Sequence, residues 1–109
     1  MGRAMRERNS ERISPRSAVT AAIEELEHPR SFGVVANISE GGACIRTDGL
    51  FPVGEGVTVR LSFRGEEQPI SLEGFVIWTG EDAASGSYRL GLQWVQPAGS
   101  RLKRLIRDC

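Results

Sequence analysis

Catalysis, metal binding and disulfide chemistry all need side chains that this sequence barely has. Its two cysteines, Cys44 and Cys109, cannot build a disulfide framework or, unaided, a metal site. A pair of reduced thiols is the expectation. The one histidine, His28, stands before Pro29 in what reads as a turn, with no nucleophile at a recognisable spacing. A lone histidine there reads as a surface residue and not as a general base. The carboxylates are scattered over turns and outward positions, without a pair for acid–base work or a cluster for a metal. Gly54-Glu55-Gly56 lacks the downstream Lys and Ser/Thr of a phosphate-binding loop, so hairpin chemistry explains it. The chain therefore reads as a binder and not an enzyme, with neither metal nor cofactor.

Long apolar runs are missing too. None approaches the roughly 20 residues that span a bilayer, and MGRAMRERNSER at the start has no apolar segment of a secretory signal. Met1-Gly2 invites an N-myristoylation reading, which Arg3 argues against. A soluble, cytoplasmic protein without membrane insertion is expected. Repeats, low-complexity tracts and βαβ patterns are absent as well.

Net charge is zero but unevenly spread. Residues 1–16 carry five Arg against two Glu, residues 101–109 carry four cations against Asp108, and the stretch between holds five Arg against eleven acids. An acidic body with basic ends lacks the continuous basic face that a nucleic-acid polymer wants. At 109 residues there is room for one domain with a modest core.

What is present is a series of short alternating segments. Residues 18–26 read as a strand on Val19, Ala21 and Ile23, ended by the His28-Pro29 step. In the next segment Phe32, Val34, Ala36 and Ile38 are expected to share one face. Gly41-Gly42 marks a turn, and residues 43–47 return. Residues 57–64 show the cleanest period of two, with Val57, Val59, Leu61 and Phe63 inward. Residues 71–79 contain Phe75-Val76-Ile77-Trp78, which reads as buried on both faces, with Gly74 marking a bulge or bend. After a polar loop at 80–87, Tyr88, Leu90, Leu92 and Trp94 line one face of a last strand. Then the period changes. Leu102, Leu105 and Ile106, with cations between them, predict a short amphipathic helix at about 98–108. The fold expected is all-β: a small six-stranded antiparallel β-barrel with a short C-terminal α-helix.

Two polar patches remain. Arg12-Ile13-Ser14-Pro15-Arg16 offers two guanidiniums at a four-residue spacing, with Pro15 stiffening the backbone between them. Asn37-Ile38-Ser39-Glu40-Gly41-Gly42 offers an amide, a hydroxyl and two glycines on a tight turn. Planar cations suit phosphates and purine faces, small polar groups suit base edges, and glycines permit close approach. Either half alone is explained by a charged tail or a hairpin turn. Together, in this order and on this architecture, they point to an anion- and purine-binding site.

The pairing RxxxR…NxSxxG resembles the signature of the PilZ family, bacterial receptor domains for cyclic di-GMP. The resemblance covers roughly residues 11–107. It rests on Arg12 and Arg16, on Asn37, Ser39 and Gly42, and on the later Phe51–Val57 and Tyr88–Trp94 segments. It implies a flexible N-terminal arm at 1–11 and a barrel domain at 12–109. It further implies that Arg12 and Arg16 clasp cyclic di-GMP against the barrel near Asn37, Ser39, Gly41 and Gly42, and that ordering of the arm signals to an effector protein. A homodimer is permitted. Asn37 stands where the family often has Asp, which removes a charge-assisted bond to guanine. Some relatives keep the fold and act through protein partners without nucleotide, so an adaptor in motility or polar-organelle assembly is the alternative. A small RNA- or DNA-binding barrel is a third reading, disfavoured by the acidic middle.

Overall fold

The computed structural model describes residues 15, 18–25, 28–82 and 84–108. Six strands run in order: β1 Thr20–Glu25, β2 His28–Ile38, β3 Gly42–Thr47, β4 Gly56–Ser62, β5 Ile70–Asp82 and β6 Ser87–Trp94. They close into an antiparallel barrel in the spatial order β1-β2-β3-β6-β5-β4. The seam is the β1–β4 ladder, from Thr20 opposite Ser62 to Glu24 opposite Thr58. Each strand has a neighbour on both sides, and the end of β5, Trp78–Asp82, runs on beside β6 alone. One helix, α1 at Ser100–Arg107, follows.

Alternation produces the core. Val19, Ala21 and Ile23 come from the start of the chain and Val57, Val59 and Leu61 from β4, while Leu90, Leu92 and Trp94 come from β6. All are buried, with Phe51 and Phe63 filling in from the loops. Helix α1 begins after Gly99 and adds Leu102, Leu105 and Ile106 to the same cluster. Burying each of these side chains contributes about 1.5–3 kcal/mol, so packing and not intrinsic propensity holds this eight-residue helix. Arg104 and Arg107 lie in its last turn, where cations complement the helix dipole.

Residues 80–82 and Ser87, read as part of a polar loop, belong to β5 and β6, and three further expectations are corrected. First, β2 opens at His28, so the His28-Pro29 step begins a strand instead of closing one. Proline is tolerated there because a strand start need not donate to the ladder. Leu26, the last residue of the first predicted strand, lies outside the described residues.

Second, Phe32, Val34, Ala36 and Ile38 do not share a face. Phe32 and Val34 are 59% and 44% exposed, whereas Val35 and Ile38 are buried. The register slips between Val35, opposite Ile45, and Asn37, opposite Cys44. Ala36 is the extra residue, and a bulge of one residue inverts the phase of everything after it.

Third, the Phe75–Trp78 run is buried on one side only. Val76 faces the core; Phe75, Ile77 and Trp78 are exposed. Here too the register slips, between Val76 and Trp78, which makes Ile77 the bulged residue. Gly74 is not the bulge. It pairs in register with Val57 and Trp94, and a Cβ on it would press against the Trp94 ring at 3.2 Å.

Candidate functional site

Ser39 organises the turn between β2 and β3. Its N–H donates to the Gly42 carbonyl at 2.8 Å. Its Oγ accepts from the N–H groups of Gly41 at 3.2 Å and Gly42 at 3.3 Å. The hydroxyl in turn lies 3.4 Å from the Gly42 carbonyl oxygen, to which it donates. At 4% exposure, Ser39 is a fastening inside the turn. Gly42 is set by crowding: a Cβ there would collide with the Leu92 carbonyl oxygen, because β3 and β6 run too close for a side chain. Gly41 is exposed, and its carbonyl accepts the Trp94 backbone N–H at 2.9 Å.

Asn37 follows from the bulge. Ile38 is core, so Asn37 faces outward on β2, directly opposite Cys44. Cys44 stands between the core residues Ala43 and Ile45 and lies opposite Gly91, which lies opposite Trp78. One row thus crosses four strands on the side of the sheet away from the core cluster: Asn37, Cys44, Gly91, Trp78, of which Cys44 and Gly91 are themselves buried. Both bulged residues, Ala36 and Ile77, adjoin the ends of this row. Bulges re-aim side chains and are common beside functional sites.

Trp78 lies flat on the row. A Cβ on Gly91 would collide with the indole Nε1, and one on Gly80 would sit 3.9 Å from its Cζ3. The two glycines therefore seat the ring along the wall while Trp78 stays 42% exposed. A half-exposed indole seated on backbone is a candidate shelf for a planar ring. Sequence reasoning missed it because the Phe75–Trp78 run read as buried. The signal that could have found it is Gly91 between two core leucines, a place where a strand keeps no side chain of its own.

The neighbouring outer row holds Val34, Arg46, Arg89 and Gly80. Two clefts, of about 640 and 680 Å³, lie elsewhere. The first is lined by Glu24, Glu25 and Glu73 with Arg60 and Phe75, and the second by residues around the start of α1. Carboxylates make the first a poor seat for a phosphate, so the flatter wall is the better candidate.

Arg12 and Arg16 lie outside the described residues. Where the chain enters the barrel is described: the Val19 carbonyl accepts the Val35 N–H at 2.8 Å, continuing the β1–β2 ladder. That contact is one residue before the bulge and two before Asn37. Among the described residues no group of three or more His, Cys, Asp or Glu could hold a metal ion, and no helix is long and apolar enough to cross a membrane.

A closed six-stranded barrel with a short helix and a motif-bearing turn on its wall defines a small β-barrel binding domain. The chain belongs to the PilZ domain family, whose sequence profile matches residues 6–109. Among solved structures it is similar to the inhibitor of motility MotI/DgrA of Bacillus subtilis, at 23% identity and a TM-score of 0.72, covering 96% of this chain and 50% of that one. The PilZ domain of Escherichia coli YcgR with c-di-GMP aligns at 15% identity and a TM-score of 0.67, covering 92% and 86%. The K. pneumonia MrkH–c-di-GMP complex aligns at 14% identity and 0.67, covering 95% and 50%. These likenesses are of fold, and the chain spans about half the length of MotI and of MrkH. No curated protein matches the chain in sequence.

Proposed function

We propose that this protein is a cyclic di-GMP receptor that signals to an effector protein by ordering its arginine segment, residues 12–16, over the barrel wall. Family membership supports the ligand class, and two solved relatives of the same fold hold c-di-GMP. The observation that carries the reading is the Val19–Val35 hydrogen bond. Arg16 is three residues upstream of Val19, a reach of at most about 11 Å. Extending the β1 line past Val19 leads along β2 toward Asn37 and the Ser39–Gly42 turn. The chain thus enters the barrel on the stretch of β2 that leads to the second motif, which supports a site shared by the two.

Each residue then has a role. Arg12 and Arg16 bring forked donors to phosphate and guanine O6/N7. Asn37 offers an amide to a base edge. Exposed Gly41 leaves the backbone open to close approach, while Ser39 and Gly42 hold the turn in shape. Trp78 stacks on a guanine. Binding of this kind is receptor work with no bond made or broken, in a cytoplasmic protein.

Isothermal titration of the full chain with cyclic di-GMP tests the reading. Wild type should bind, and Arg16→Ala and Ser39→Ala should each weaken binding. Silence from wild type, or equal binding by both variants, sinks it.

One observation favours a second reading, an adaptor that needs no nucleotide. Phe32 and Val34 stand exposed on neighbouring positions of the β2 outer face, a surface on which a protein could dock. Partner association unchanged by cyclic di-GMP and by Arg12 or Arg16 substitution would favour it.

A further inference from the structure

We propose that Arg46 and Arg89 form a fixed anion subsite on the barrel wall that contacts a phosphate of the bound cyclic dinucleotide, an inference that rests on the receptor reading above. The two residues are direct cross-strand partners on β3 and β6. Their Cβ atoms are therefore roughly 4.5–5.5 Å apart, and like charges so placed repel. The body of the chain is acidic, yet two of its five arginines between residues 17 and 100 stand side by side here.

Neutralisation is incomplete. Other cations meet carboxylates over a range, from Arg30 with Glu24 at 2.6 Å and Arg101 with Glu66 at 3.3 Å to Lys103 with Glu40 at 4.0 Å. Among the described residues Arg46 makes no ion pair, and Arg89 has Asp82 at 3.8 Å. The other Asp82 oxygen accepts the Ala84 N–H at 3.2 Å, so that carboxylate is shared with the adjoining turn. A net positive pair is left on the wall.

Its position suits a phosphate. Arg46 is two residues along β3 from Cys44, and Arg89 two along β6 from Gly91, so the guanidinium stems rise roughly 7 Å from the Asn37–Trp78 row. Beside them Gly91 and Gly80 add no side chains, and the Trp78 indole lies over Gly91. A ligand that lays a purine on Trp78 carries its phosphodiester toward the neighbouring row, where forked cations are the fitting donors. The wall thus holds part of the anion recognition independently of the N-terminal arginines, and the unliganded pair stores repulsion that an anion relieves.

The test is titration of the full chain with cyclic di-GMP for wild type, Arg46→Gln, Arg89→Gln and the control Arg60→Gln, at low and high salt, with melting curves taken without ligand. Arg60 lies on β4, opposite Ala22 and Ser71, away from this wall. Either wall variant should weaken binding about tenfold and flatten its salt dependence, with the control unchanged. The ligand-free melting temperature of the wall variants should stay level or rise, because a repulsion is removed. If wild type binds and both wall variants bind equally well, the subsite is wrong and the receptor reading stands. If wild type is silent, the receptor reading falls and takes the subsite with it. A loss of binding accompanied by a lower ligand-free melting temperature would make the pair structural and overturn the subsite.

Discussion

Trp94 holds the turn at Ser39 from two directions. Its indole N–H donates to the Ser39 carbonyl at 3.4 Å, and its backbone N–H donates to the Gly41 carbonyl at 2.9 Å. The same ring is buried in the cluster that contains Leu102, Leu105 and Ile106 of α1. The motif-bearing turn is therefore anchored to the core and not merely hung between two strands.

Trp94→Phe keeps most of the apolar ring and removes the indole donor, leaving the buried Ser39 carbonyl short of a partner. The expected cost is about 1–2 kcal/mol, read by chemical denaturation. Ser39→Ala removes the acceptor for two backbone N–H groups and should cost a similar amount. Because both changes loosen one turn, the double variant should cost less than the sum of the singles.

Two glycine substitutions should behave oppositely. Gly42→Ala drives a Cβ into the Leu92 carbonyl, a backbone atom that moves only if β3 and β6 part. It should cost about 2 kcal/mol or more. Gly91→Ala meets the Trp78 indole instead, a half-exposed side chain that can swing away. Its stability should change by less than about 1 kcal/mol, while tryptophan emission shifts as the ring leaves its seat.

Trp78→Ala separates binding from folding. The side chain is 42% exposed, so the fold should lose little, measured by thermal melting. Cyclic di-GMP affinity should fall about tenfold or more, since a base on an aromatic shelf contributes about 1–3 kcal/mol. Unchanged affinity would remove Trp78 from the site.

The contact between Lys103 of α1 and Glu40 of the turn should matter least. The pair is 4.0 Å apart with both side chains about half exposed. Lys103→Ala should shift stability by less than about 0.5 kcal/mol at physiological salt, by denaturation. A larger loss would mean that the helix clamps the turn through charge, and not through Trp94 alone.

The amino-acid sequence by itself determined the six strands, the helix and the motif. Val57, Val59, Leu61 and Phe63 are legible because alternation is a local property, and Leu102, Leu105 and Ile106 because their spacing marks one face of a helix. Asn37, Ser39 and Gly42 are legible as a pattern for the same reason, although what each does is not. Only the tertiary structure decided that Gly42 answers to Leu92, that the Ser39 hydroxyl is bound into its own turn, and that Phe32 and Val34 face out. It also decided that residues 37, 44, 91 and 78 form one row. The reason is physical. Periodicity reports which residues alternate, but a single inserted residue, such as Ala36 or Ile77, inverts the phase without leaving a local mark. Which strand lies beside which is then set by closure of the whole barrel, through contacts between residues far apart in the chain.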